Sequence, residues 1–300
     1  MTVSLSAGNT VQKLTPTQAL GATGHDYYFT FPIELNIIDD LLYVIDQKTN
    51  TVSVFDSQSL AFIRKFGQTG NEPGSYDRAL SINADGWGNL AVSDYNNDRL
   101  QIITPYGEFL QEFELIYPWK TAYYDQQLYI DVFPGSDQAG IYSFSDDNIS
   151  LEVDLAKYFK KKNFGSVLDK YYSYCVMEWG YVTSFSGRDE IIFFNNSGKP
   201  RRTKVEKLPL TYENTLYGKP LAYQDDFLIL ATSNNHQTAD STQTEISYQN
   251  LIGQYDKKGK LQKVYELPAK IWLTDSWAIY QKDAYLYDTS ELIIYKFSLN

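Results

Sequence analysis

The stretch DRALSINADGWGNLAVSD (77–94) reads as an apolar strand, a turn rich in Asp and Gly, and a second strand of Leu-Ala-Val type. The same layout stands upstream in PIELNIIDDLLYVID (32–46) and downstream in PWKTAYYDQQLYIDV (118–132). Pro32 to Leu42 is ten residues, and so is Pro118 to Leu128. After each of the first two units comes a further pair of strands, TVSVFDSQSLAFIRKF (51–66) and RLQIITPYGEFLQEFEL (99–115). A period of about 40–50 residues with four short strands per unit is the mark of a β-propeller blade. One such sheet leaves both faces wet, so the units must stack to bury them.

Carried along the chain, this pattern predicts an all-β, single-domain six-bladed propeller over 1–300. The blades fall at 32–67, 78–115, 118–154, 172–208, 218–267 and 275–300. The last unit has three strands. Residues 2–15, with VSLSAGNTVQKL, are expected to supply the missing outer strand and so remove a free edge. Two segments break the repeat. Residues 155–172 (LAKYFKKKNFGSVLDKYY) carry apolar positions near helical spacing, predicting a short helix or helical hairpin between blades 3 and 4. The polar run SNNHQTADSTQT (233–244) reads as a long loop within blade 5.

Composition agrees with strands: 26 Tyr and 16 Phe bring aromatics to 16%. A single cysteine, Cys175, allows no internal disulfide. The formal net charge of −11 opposes a nucleic-acid partner, which needs a basic face. No stretch approaches the ~18 apolar residues of a membrane span. The start, MTVSLSAGNT, lacks the basic and apolar segments of a signal peptide.

The run FGQTGNEPGSYDRALSINADGWGNLAVSDYNNDRLQIITPYGEFLQEF (66–113) resembles an NHL repeat, with its Gly-rich turn, Asp-Gly, Asp-ended strand and Asn-Asp-Arg-apolar sequence. The chain as a whole resembles the NHL-like or TolB-like six-bladed propellers of the Bacteroidetes type. That resemblance implies a periplasmic or cell-surface protein, and a monomer that binds a protein or small-molecule ligand without a cofactor. Lactonase-like six-bladed enzymes give the rival reading, a calcium-dependent hydrolase of lactones or esters. Here its oxygen donors would be Glu34, Asn36, Asn83 and Asp275.

Catalytic residues of other kinds find little support. His25 and His236 are the only histidines, too few for a zinc site of the usual type, and no Gly-x-Ser-x-Gly occurs. Asp46, Asp94 and Asp288 each end a second strand, where a short acceptor caps a turn. Lys157 and the run Lys160, Lys161 and Lys162 read as the wet face of the helix. The loops entering each inner strand converge at one mouth of the channel, so the candidate ligand-binding residues are Glu34, Asp77, Arg78, Trp119, Lys120, Lys219, Trp272 and Asp275. Trp, Arg and Lys at a mouth suit recognition, whereas Trp119 and Trp272 could instead pack between blades.

Overall fold

The computed structural model describes residues 11–21, 29–145, 148–185, 188, 190–201, 205–210, 214–235, 247–268 and 276–299. Six sheets, antiparallel but for one added N-terminal strand, follow one another along the chain. Blade 1 comprises strands Pro32–Ile38, Leu41–Asp46, Thr51–Asp56 and Phe62–Phe66; blade 2 comprises Ala79–Ala84, Leu90–Asp94, Arg99–Ile103 and Phe109–Glu114. Blade 3 comprises Pro118–Tyr124, Gln127–Val132, Gly140–Ser145 and Asn148–Asp154. Blade 4 has three strands among the described residues, Tyr172–Met177, Gly180–Phe185 and Glu190–Phe194. Blade 5 is built on the longer strands Asn214–Tyr223, Asp226–Asn235, Ser247–Tyr255 and Leu261–Leu267, and blade 6 on Trp277–Tyr280, Asp283–Asp288 and Ile293–Ser298.

Side chains alternate across each strand, so every sheet offers one apolar face to each neighbour. Leu42 and Val44 face blade 6, while Tyr43 and Ile45 between them face blade 2. In blade 5, Phe227 and Ile229 pack towards blade 4, and Leu228 and Leu230 towards blade 6. The outcome is a distinct apolar cluster at each of the six seams, running without a break around the ring. Here lies the physical reason for the sequence repeat: a blade is stable only between two others.

Closure uses the N-terminal arm. Gln18–Leu20 pairs antiparallel with Ile293–Ser298 and completes blade 6 with a fourth strand. This closing strand lies just downstream of the 2–15 stretch expected to supply it. Within that stretch, Val11–Lys13 instead runs parallel to Leu261–Leu267 as a fifth strand of blade 5. The arm thus spans two blades, with Leu14 buried in the seam between blades 5 and 6 and Leu20 in the seam between 6 and 1.

Between blades 3 and 4 stands the expected helix, Leu155–Lys161. The Asp154 carboxylate accepts from the Lys157 amide at 2.8 Å and caps it. Leu155, Tyr158 and Phe159 are buried against blades 3 and 4, and Lys157, Lys160, Lys161 and Lys162 face water. No helix among the described residues is long and apolar enough to cross a membrane.

Truncating the closing strand should open a cavity in its seam. Leu20→Ala is expected to cost about 2–5 kcal/mol of unfolding free energy in a denaturant titration. Leu110→Ala, at a 48% exposed outer position, should stay within about 0.5 kcal/mol of the parent.

Candidate functional site

In blades 1, 2, 3 and 5 the register slips at the head of the inner strand, between Pro32 and Glu34, Ala79 and Ser81, Pro118 and Thr121, and Tyr217 and Pro220. A bulge of this kind bends the strand and re-aims its side chains. In blades 1, 3 and 5 it delivers Glu34, Lys120 and Lys219 to a common point. The Lys219 ammonium donates to Glu34 Oε1 at 2.7 Å, and the Lys120 ammonium donates to Glu34 Oε2 at 3.3 Å. The carboxylate is fully buried, and each lysine side chain keeps only 10–12% of its exposure. Three of the expected mouth residues therefore meet, from alternate blades, as a charged plug across the ring.

Hydroxyl and indole groups tie the same level together. Ser81 Oγ and Thr121 Oγ1 lie 2.7 Å apart between blades 2 and 3, and Ser184 Oγ donates to Gly218 O between blades 4 and 5. The fully buried Trp277 donates its indole N–H to Lys219 O at 2.8 Å, joining blade 6 to blade 5. Calcium does not fit this arrangement. Both oxygens of Glu34 hold ammonium groups, Asn36 donates to Ile82 O, and Asn83 accepts from the Ala84 amide. Among the described residues no three His, Cys, Asp or Glu side chains come together as a metal site. Trp272 and Asp275, with His25 and His236, lie outside the described residues.

Arg78 and Trp119 form a second group, at the mouth. The Arg78 guanidinium lies over the Tyr95 ring at 4.7 Å from its centroid and over Trp119 at 6.0 Å. Around Trp119 stand Tyr95 at 5.5 Å, Phe133 at 5.4 Å and Tyr171 at 5.9 Å, and Tyr117 stacks beside Tyr95 at 5.5 Å. These rings come from the ends of strands in blades 2 and 3 and from the loop into blade 4. Trp119 is half-buried, so it is both packed and presented. Arg78 and Tyr117 occupy equivalent places before their inner strands, and both have left-handed backbones, φ 62° and 54°. Such conformations are uncommon for large side chains and need support. Asn50 Oδ1 accepts from the Arg78 amide, and Asp98 Oδ1 accepts from that of Tyr117, each at 2.9 Å.

The strand-end aspartates do structural work. Asp46 Oδ2 accepts from the Thr30 and Phe31 amides, and Asp288 Oδ1 accepts from Ser290. Asp94 accepts from the Asp77 amide, Asn97, Arg99 and Gln101. Asp46 and Asp94 thus reach back to the loop entering their own inner strand, as well as forward to the turn.

Asp131, like the rings around Trp119, is a residue that sequence reasoning missed. Its Oδ1 accepts from the Lys120 amide, which holds the bulge between platform and plug. Its Oδ2 is buried near the Tyr172 hydroxyl, beyond ordinary hydrogen-bond geometry for either group. Burial pushes the Asp131 carboxyl up to about 8, against the opposing pull of the Lys120 amide and charge.

Hollows of about 510 Å³ open on the opposite face, between the first hairpin turns of the blades. One is lined by Tyr124, Glu178, Trp179, Asp225 and Asp226, and another by Asp39, Asn83, Tyr106 and Tyr123. These hollows also carry cation–aromatic pairs, Arg201 over Trp179 and Arg64 over Tyr106; the mouth differs in gathering Tyr95, Tyr117, Trp119, Phe133 and Tyr171 around one arginine.

No known family model matches the sequence. Solved structures do. A member of the DUF4221 family from Bacteroides vulgatus superposes with a TM-score of 0.62 at 12% identity, over 95% of this chain and 97% of that one. A Bacteroides fragilis protein described as a "putative exported protein" gives 0.58 at 15%, over 94% and 86%. This six-bladed propeller resembles proteins of Bacteroides. Streptogramin B lyase shares the fold at a TM-score of 0.52 and 12% identity, over 94% and 98%.

Two outcomes test the plug and its support. Glu34→Gln strands two buried ammonium groups and should cost about 3–5 kcal/mol, whereas replacing all three of Glu34, Lys120 and Lys219 by Leu or Met should recover most of it. For Asp131, the folded carboxyl stays protonated up to about pH 8, while the unfolded one ionises near ~4. The folded state binds the extra proton in that window, so stability falls as pH rises from about 4 to 8. Asp131→Asn should flatten this fall and, at pH 8, unfold at a higher temperature than the parent.

Proposed function

We propose that the chain is a non-enzymatic, NHL-like binding propeller of the bacterial cell envelope, which takes up a protein or small-molecule ligand at the mouth carrying Arg78 and Trp119. The observation that carries this reading is the stack of Arg78 on Tyr95 and Trp119. Arg, Trp and Tyr are the side chains that most often dominate recognition, because they bring large rigid area together with directed polar groups. The rings are fixed by their neighbours before any ligand arrives, so little ordering remains to be done on binding. The plugged axis supports surface capture over chemistry in a through-channel. Likeness to the Bacteroides fragilis protein, described as exported, supports a place outside the cytoplasm. The charge of −11 continues to oppose nucleic acid as the partner.

The test is capture of envelope components on immobilised protein. Arg78→Ala combined with Trp119→Ala should abolish capture while the protein stays folded by circular dichroism, with the lower unfolding temperature expected from loss of a packed ring. A double variant that is folded and still captures the same component contradicts this assignment of the mouth.

A further inference from the structure

We propose that the mouth recognises an oxyanion, a carboxylate or phosphate group carried on an apolar or aromatic body. This rests on the reading of the mouth as a binding surface and names the chemistry it selects.

Arg78 is the reason. Arg99 is held by Asp94 and Glu112, Arg188 by Glu190, Arg64 donates to Pro105 O and the Tyr43 hydroxyl, and Arg201 lies over Trp179 at 5.3 Å, away from the mouth. Arg78 is exposed and pairs with no carboxylate among the described residues. Its guanidinium carbon lies 4.7 Å from the Tyr95 centroid and 6.0 Å from that of Trp119, two rings set at 72° to each other, so the aromatic corner holds the group and leaves N–H donors for a ligand. Those donors match two oxygens of a carboxylate or phosphate, and the rings hold them in place. The left-handed backbone at Arg78, supported by Asn50, fixes where the side chain starts.

Two acids of the neighbouring loops are each held by a hydrogen bond and keep their charge. Asp77 accepts from Asn96 at 3.0 Å, and Asp98 accepts from the Tyr117 amide. Beneath Trp119, the next residue, Lys120, belongs to a cluster of two ammonium groups and one carboxylate. That cluster carries a net positive charge in a setting that screens it weakly. Beside the arginine, Tyr117 and Ile116 are 44% and 47% exposed and offer apolar surface for the rest of the ligand. Guanidinium donors and rings form one continuous recognition surface, with Arg78 supplying its exposed cation.

Calorimetry on the full chain with three matched probes tests this: biphenyl-4-carboxylate, biphenyl-4-yl phosphate and the neutral biphenyl-4-carboxamide. One or both anions should bind about tenfold or more tightly than the amide, with the tighter anion marking the preferred head group. Added salt should narrow the gap. Arg78→Ala should erase the preference, Arg78→Lys should restore part of it, and Trp119→Ala should weaken all three probes. If anions and amide bind alike and Trp119→Ala weakens them equally, the oxyanion inference is overturned and the binding mouth stands. If no probe binds, or neither substitution alters binding, both are overturned.

Discussion

Glu34 has no contact with water, and each of its oxygens holds an ammonium group from a different blade. A charge so placed is tolerable only while both partners stay in reach, since an unpaired buried ion costs several kcal/mol. Blades 1, 3 and 5 are thereby fixed against one another across the ring, while the apolar seams fix each blade to its neighbours. An apolar plug of equal volume would come close to its stability. What the triad adds is a penalty on any arrangement in which one blade shifts and strands a charge.

The plug and the mouth are one assembly. Trp119 and Lys120 are successive residues of a single bulge, the first joining the aromatic platform and the second reaching the axis. Asp131 holds that bulge through the Lys120 amide. A carboxyl pushed up to about 8 by burial sits at the junction, and the bulge rests on the hydrogen bond that it accepts from the Lys120 amide. Rigidity at the mouth follows from this chain of support, and rigid recognition groups bind with less loss of freedom.

The architecture was legible because propeller blades impose two periods at once, alternation within a strand and the repeat between blades. Each seam cluster is the physical image of one unit of sequence. The closing strand was harder to place, because a three-residue segment such as Gln18–Leu20 carries almost no periodic signal. The triad was hidden for another reason. Glu34 is 86 residues from Lys120 and 185 from Lys219, and only the closed ring brings them together. The sequence did nominate all three, through their shared place at the head of inner strands, but as ligand contacts and not as partners of one another. Tyr95, Tyr117, Phe133 and Tyr171 went unnoticed, although Tyr117 precedes its inner strand as Arg78 does, while Tyr95 and Phe133 follow second strands. Aligning the blades at the inner-strand bulge, instead of at the turn, brings Tyr117 into register with Arg78.

The buried charge cluster is the claim on which the account turns, and the side-chain nitrogen spectrum of the lysines reads it directly. In protein with ¹⁵N-labelled lysine, Lys120 and Lys219 should give ammonium signals protected from water exchange, and both should move when Glu34 is replaced by Gln. If both exchange as fast as the exposed lysines of the helix and ignore that replacement, the blades are not locked through Glu34, and the support for the mouth must lie elsewhere.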